Sequence, residues 1–333
     1  MKIRLGRYKL KVKYLLLAAG VLAAGALSMA WTWGPVVFTA ALIVTMTLYW
    51  AFRLRTPGTT PLPHLRVTEE FTTLETPGGE FAFAVIGDMP TRGPARKAVL
   101  RHAQKCNPLF LCNTGDVVKY SNPKTWRQYM RFLARNLEGG RRCFHTPGNH
   151  DIDHNVLRHY YAFYRHYFGR GSYCVDAGGW RLIFLDSAKR DLTDSAMTWL
   201  ETRLSEARNQ NRRTVLLTHM PPRQESAGVT HSLSARCTRR LAAVLNRHDV
   251  PVMFCGHIHR LIQFDWEGRK VFVGGLSKTA WKPVPGGEGV EPAGYYRVFI
   301  NGRDIRVEPV ILMPRQADDH SGKSKLVSAA SSR

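Results

Sequence analysis

The sequence contains no Asp or Glu before Glu69. The same stretch holds nine Lys and Arg, six within the first 13 positions and the others at Arg53, Arg55 and Arg66. Between positions 14 and 52 charge of either sign is missing. A cleaved signal peptide is shorter than that and ends in a small-residue cleavage site, which is also missing, so the sequence is read as having no cleaved leader. One unbroken spanning helix is disfavoured too: it would run about 58 Å, roughly twice the hydrocarbon thickness of a bilayer. The six cysteines (Cys106, Cys112, Cys143, Cys174, Cys237 and Cys255) show no CxxC spacing. That removes a zinc finger and a disulfide framework and leaves them as small buried hydrophobes. It also favours a reducing compartment. No internal repeat is apparent.

What is present starts with size and charge. The 333 residues, 44% of them apolar, can form one large domain and something extra. The net charge of +23 suggests a polyanionic neighbour such as anionic lipid, nucleic acid or a phosphate-rich substrate, or reflects a generally basic proteome. Midway through the uncharged segment stands Trp31-Thr32-Trp33-Gly34-Pro35. Gly-Pro breaks a helix and tryptophan favours the membrane–water interface. The segment therefore reads as two transmembrane helices, about 14–32 and 35–52, behind a basic tail, 1–13. A single tilted span is the alternative. Both flanks are basic, so the positive-inside rule puts both in the cytoplasm. The expectation is a hairpin in a bacterial inner membrane with the following domain facing the cytoplasm.

Residues 53–79 are rich in Pro and Gly and read as a linker with one strand, 66–74. Beyond it, five apolar runs of strand length end in Gly or Thr and then in Asp, Asn or His. They lead to Gly87-Asp88, Gly115-Asp116, Gly148-Asn149-His150-Asp151, His219, and Gly256-His257-Ile258-His259. Near-continuous apolar runs suggest strands buried on both faces. Open α/β sheets bind their ligands at the carboxyl ends of strands. Helices are expected at 94–105, 123–137, 193–209 and 232–248, and hairpins at Asp176-Ala177-Gly178-Gly179 and Asn301-Gly302. The aromatic run at 155–168 reads as core packing, or as a stacking surface for a base or sugar. Residues 313–333 are polar and read as a disordered tail.

The ordered set GD, GD, GNHD, H, GHxH resembles the calcineurin-like metallophosphoesterase family, over about 80–312. The resemblance implies an α/β fold, a four-layer αββα sandwich with its ligands on loops at one edge. It implies a metal-dependent phosphoesterase that hydrolyses a phosphomonoester or phosphodiester at a dinuclear centre. By the same resemblance Asp116 bridges two divalent ions, Asp88 and His259 hold the first, and Asn149, His219 and His257 hold the second. His150 would be the general acid, oriented by Asp151. A mixed imidazole, amide and carboxylate set suits Mn, Fe or Zn.

One departure stands out. Where the family's first motif has Asp-x-His, this chain has Asp88-Met89-Pro90. Proline cannot ligate a metal, so the first ion is expected to bind more weakly. Arg92 could instead place a guanidinium near the phosphate, or be a solvent-exposed loop residue. Read without the resemblance, the GHxH spacing still places His257 and His259 on one side of an extended segment. Asp88 and Asp116 taken singly read as turn-formers or helix caps, and His219 as a buried hydrogen-bonded histidine. Of the remaining histidines, His231 is the one to watch, in a glycine-containing loop that could form a lid.

The resulting expectation is a membrane-anchored phosphoesterase, with a lipid-linked phosphate an attractive substrate and anionic lipid a neighbour. The competing reading is a catalytically impaired relative that binds a phosphorylated ligand as sensor or scaffold. Nucleic acid is a weaker third, resting on charge and aromatics alone. Nothing in the sequence sets an oligomeric state.

Overall fold

A computed structural model describes residues 20–21, 36, 39–47, 60–89, 94–153, 161–274 and 293–312. The chain divides into two units, Met1–Gly58 and Thr59–Arg333. In the first, residues 39–47 are helical, with Leu42, Ile43, Val44 and Met46 exposed. The expected spans, 14–32 and 35–52, lie largely outside the described residues, as do the tail 313–333 and the basic segment 1–13. No helix among the described residues is long and apolar enough to cross a membrane.

The second unit is built on two sheets. Strands β1 (Phe71–Leu74), β2 (Glu80–Ile86), β3 (Phe110–Asn113), β4 (Cys143–His145), β5 (Tyr173–Ala177) and β6 (Trp180–Leu185) come first. Strands β7 (Arg213–Thr218), β8 (Val252–Cys255), β9 (Ile262–Trp266), β10 (Arg269–Val273), β11 (Ala293–Asn301) and β12 (Asp304–Leu312) follow. One sheet has the order β1-β5-β6-β7-β8-β10-β9 and the other β12-β11-β2-β3-β4. The helices are α1 (Pro94–Lys105), α2 (Pro123–Asn136), α3 (Ala162–Phe168), α4 (Asp194–Asn209) and α5 (Ala235–Leu245).

Period-two alternation explains why whole strands are apolar. In β2, Phe83 and Val85 join a core that also takes Phe184, Leu217 and Phe254 from the larger sheet. Its neighbours Ala84 and Ile86 point the other way, into a core with Val99, Trp126 and Leu133 of α1 and α2. In β6, Leu182 and Phe184 face the intersheet core while Ile183 and Leu185 pack on Leu200 of α4 and Leu241 of α5. Helices thus cover the outer face of each sheet, which gives the four layers expected. The aromatic run, as far as it is described, is core: Tyr164, Tyr167 and Phe168 are buried and Tyr167 stacks on Trp126 at 5.5 Å.

Local signals placed the elements well. Asn122, Thr193 and Ser234 cap α2, α4 and α5 by accepting backbone N–H groups. Gly178 and Gly179, both at positive φ, turn β5 into β6. One expectation needs correcting. Residues 60–79 are not a linker to the fold but part of it: Leu65 and Val67 are buried, and β1 pairs in parallel with β5. The proline and glycine there end a short edge strand rather than loosen a tether.

Candidate metal centre

Four strand ends carry the expected ligands to one edge. Asp88 follows β2, Asp116 follows β3, His219 follows β7, and His257 and His259 follow β8. Asp88, Asp116 and His219 are fully buried. Two donor groups overlap there, Asp116 with His219 and His257, and Asp88 with Asp116 and His259, and within each group the ligand atoms lie within 4.8 Å of one another. Asn149 joins the first group, with its Oδ1 3.1 Å from His219 Nε2. His150 sits at the rim. Its side chain is 39% exposed, its Nε2 lies 4.0 Å from Asp116 Oδ2, and its backbone N–H donates to Asp116 Oδ1 at 2.8 Å.

The backbone at this edge is strained. Asp88, Asp116, His257 and His259 all have φ between 47° and 73°. Asp and His tolerate the left-handed region better than most residues, but each such turn still costs about 1 kcal/mol or more. Gly115, at φ 100°, backs against Gly148, and a Cβ there would come within 2.6 Å of Gly148 N and 2.9 Å of His219 Nδ1. The two glycines let the Asp116 loop and the Asn149 turn touch.

The electrostatics fit bound cations. Burial pushes the Asp88 carboxyl well up, and nearby Asp116 pushes it further. Burial works against Asp116 as well, but His219 and His150 more than offset it and hold that carboxyl below the usual range. Burial lowers His219, while Asp116 and Asp88 outweigh it and raise the imidazole to about 9. The His219 imidazolium is thus the positive charge that keeps Asp116 ionised in a dry pocket. Burial, then His219 and His231, push His257 down to about 3, so its ring is neutral and ready to ligate. Among the described residues, Asp116 Oδ2 and both ring nitrogens of His257 are buried without a hydrogen-bond partner. Orphaned ligand atoms of this kind are the mark of a site organised for an ion. The donor set therefore fits two divalent cations sharing Asp116.

Supporting contacts fix the ligands. His219 Nδ1–H donates to the Thr114 carbonyl at 2.8 Å, which aims Nε2 inward. Ser187 Oγ accepts the backbone N–H groups of His219 (3.1 Å) and Met220 (2.8 Å). The His257 N–H donates to both oxygens of Asp88 at 3.0 and 2.9 Å. Asn113 Oδ1 accepts the Gly115 N–H at 2.9 Å. Asn113, Thr114 and Ser187 carry no sequence signal of their own, although Asn113 and Thr114 directly precede a Gly-Asp pair.

Asp151 departs from expectation. It does not orient His150. Its Oδ1 accepts from Val117 N–H (2.9 Å) and Val118 N–H (3.1 Å), and its Oδ2 from Gly148 N–H (2.9 Å). These buried N–H groups need acceptors, and the carboxylate supplies them. Asp151 is a clamp between the Asp116 loop and the Asn149 turn. Pro90 and Arg92 lie outside the described residues. His231 does come to the site, with its ring 4.3 Å from that of His257.

Residues 81–261 match the family model of the calcineurin-like phosphoesterases. Among curated proteins, the chain is 26% identical over 176 residues to 3',5'-cyclic adenosine monophosphate phosphodiesterase CpdA of Escherichia coli (strain K12), covering 51% of this chain and 61% of that protein. It is 31% identical over 160 residues to glycerophosphodiester phosphodiesterase GpdQ of Enterobacter lignolyticus (strain SCF1), covering 44% of this chain and 55% of that one. The chain thus spans little more than half the length of these relatives. Among solved structures, a dimetal phosphatase from Danio rerio shares the fold with a TM-score of 0.51 at 12% identity, covering 70% of this chain and 98% of that one.

Proposed function

The chain belongs to the calcineurin-like phosphoesterase family, and from that premise we propose that it hydrolyses a phosphate ester in a metal-dependent reaction at the buried edge of its sheets. The observation that carries this reading is the pair of donor groups sharing Asp116. Asp88, Asp116 and His259 would hold one ion, and Asp116, Asn149, His219 and His257 the other. Bound there, two divalent ions would supply charge neutralisation at the phosphate and Lewis acidity for attack by water. His150, at the rim and partly exposed, would hand a proton to the leaving oxygen. His231 would close over His257 from its loop. Mn, Fe or Zn suits the donors. Both relatives are named phosphodiesterases, which supports a diester over a monoester.

The test is turnover of an aryl phosphate monoester and a bis-aryl diester by the full chain after chelation and after return of each metal. Turnover that survives chelation, or that no metal restores, would overturn it. Pro90 favours the second reading, a relative that binds a phosphorylated ligand without turning it over; phosphate binding without turnover under every metal would select it.

We propose as well that residues 14–52 anchor the chain in a bacterial inner membrane with the second unit in the cytoplasm. What supports this is the uncharged run with basic flanks, and the exposed apolar residues of the helix at 39–47. Reporter fusions after Arg55 and at the C-terminus should both behave as cytosolic. A periplasmic signal from either would reject the arrangement.

A further inference from the structure

Beside the metal edge lies a cleft of about 530 Å³ lined by Arg66, Arg165 and Arg170, with Tyr161, Ser172 and Asp186. The three arginines are 99 and 5 positions apart in sequence, and one backbone join gathers them. Val67 N–H donates to the Phe168 carbonyl and Arg170 N–H to the Val67 carbonyl, both at 2.9 Å. Gly169, at φ 83°, sits opposite Val67, whose carbonyl oxygen a Cβ there would strike. That join brings Arg66 and Arg170 onto adjoining segments, diagonally across the Val67–Gly169 pair. Arg165 lies one helical turn earlier, its carbonyl accepting the Gly169 N–H at 3.1 Å. Its guanidinium sits over the Tyr161 ring at 5.3 Å.

The cleft is cationic: three arginines line it against one carboxylate, Asp186, which Arg165 and Lys189 partly offset. None of the three arginines forms an ion pair among the described residues, and all three are exposed. The one carboxylate in the lining, Asp186, is already engaged: its Oδ1 accepts the Ala188 N–H at 3.0 Å and its carboxylate pairs with the Tyr161 hydroxyl. The cleft adjoins the catalytic edge through the chain itself. Asp186 precedes Ser187, which holds the backbone of His219 and Met220.

We propose that this arginine cleft is a phosphate-recognition subsite, which grips a second, non-reacting phosphate of a substrate whose scissile ester lies at the metal centre. The proposal rests on the phosphoesterase reading and narrows it to substrates with two phosphate groups. Three guanidiniums present planar forks of donors that match phosphate oxygens, and one committed acid leaves a net positive field to attract them. The Tyr161 ring, held under Arg165, adds a flat wall for whatever joins the two phosphates. The second phosphate could come on a soluble ester or on a lipid headgroup; the recognition chemistry is the same.

The test uses the full chain stripped of metal with a chelator, titrated calorimetrically with inorganic pyrophosphate. Binding should appear, weaken with salt, and fall about 10-fold or more in the Arg165→Ala/Arg170→Ala double variant. These side chains are exposed, so the variant should fold. No binding by the wild type, or equal binding by the variant, overturns the subsite. Competition by vesicles containing phosphatidic acid would place the phosphate on a lipid. Competition only by a soluble bisphosphate would place it on a soluble ester. Metal-dependent aryl phosphate hydrolysis by the same preparation tests the parent reading separately. A chain that hydrolyses but fails to bind pyrophosphate sinks the cleft alone. A chain that binds but never hydrolyses sinks the phosphoesterase reading and leaves an anion site.

Discussion

The metal centre and the arginine cleft are neighbours built on opposite terms. In the centre, charges are dry, opposed to one another and held by backbone N–H groups on strained turns. In the cleft, three arginines face water against one acid, and a close backbone contact at Gly169 holds the segments that carry them. The difference follows from what each could tolerate without its ligand. Buried carboxylates destabilise a fold unless something offsets them, so the centre contains an imidazolium and several N–H donors in advance. Exposed guanidiniums are hydrated and need no internal partner. Substitutions should therefore unfold the centre and merely disarm the cleft.

The largest effect belongs to Gly148→Ala. The new methyl would run into Asp116, whose side chain and backbone occupy the space. Overpacking of this kind costs about 3 kcal/mol or more where neither side can move. The matching Arg170→Ala change in the cleft should stay within about 0.5 kcal/mol. Urea unfolding of both variants measures the contrast. A Gly148→Ala protein as stable as the wild type would mean that the two loops can separate, and the centre is not as tightly closed as its contacts suggest.

The next effect is kinetic. His150→Ala removes the partly exposed imidazole at the rim, and the rate on poor leaving groups should fall by about 10²–10⁴. Good leaving groups need no proton and should lose far less. Equal losses on both would remove His150 from the acid's role. Asp151→Asn should behave differently. It disturbs three backbone acceptor bonds and should lower stability without selecting among leaving groups.

That split between His150 and Asp151 marks where sequence stopped being enough. The layers, the hairpins and the gathering of the candidate donor residues were readable because each rests on a local pattern: period-two alternation, a Gly-Gly turn, a histidine two residues from another. The work of Asp151 was not readable, since its partners Val117 and Val118 are defined by the fold and any residue could offer those N–H groups. Thr114 acts through its carbonyl and Ser187 through a hydroxyl that only tertiary contact brings to His219. The four left-handed turns at the ligands are invisible in a sequence that uses Asp and His there. The cleft was illegible for the same reason, because tertiary contacts such as the Val67–Gly169 join bring Arg66 to Arg165 and Arg170.

The third effect is a pH dependence of metal stabilisation. Burial raises Asp151 to about 7 and raises Asp88, while Asp116 and Asp88 raise His219 to about 9. Each group binds its proton more tightly folded than unfolded. Their stabilisation of the metal-free chain is complete below their unfolded values, near 4 for the acids and 6.5 for His219, and is lost as pH climbs through the folded ones. Metal needs Asp88 ionised and His219 neutral, so it replaces what deprotonation removes. The melting-temperature gap between metal-loaded and chelated protein should widen from pH 5 to pH 8, by an amount on the order of 1–2 kcal/mol in stability. The Arg165→Ala/Arg170→Ala variant should show the same widening, since it leaves the buried acids and His219 untouched. A gap that narrows toward pH 8 would mean the buried acids are ionised without help.

The smallest effect concerns the half of the centre that most nearly shares the cleft's terms. His259 is partly exposed, with 13% of its side chain accessible, whereas Asp88, Asp116 and His219 are sealed. Its donor group with Asp88 and Asp116 has three members, and Pro90 stands where the family carries a histidine. The other group gains Asn149 as a fourth. A three-donor, partly open site can hold a divalent ion but leaves more of its shell to water. Metal titration of the full chain should therefore give one tight ion and one looser one. Pro90→His should tighten only the looser ion, by roughly the 10- to 100-fold that a perturbed ligand shell is worth. Turnover need not follow, because tighter binding of that ion is not by itself a gain in the rate of the chemical step. Two equally tight ions in the wild type would show that another group completes the first site, and the contrast between the halves would vanish. An unchanged second affinity in Pro90→His would show that position 90 points away from the ion, and the looseness would then belong to the exposure of His259.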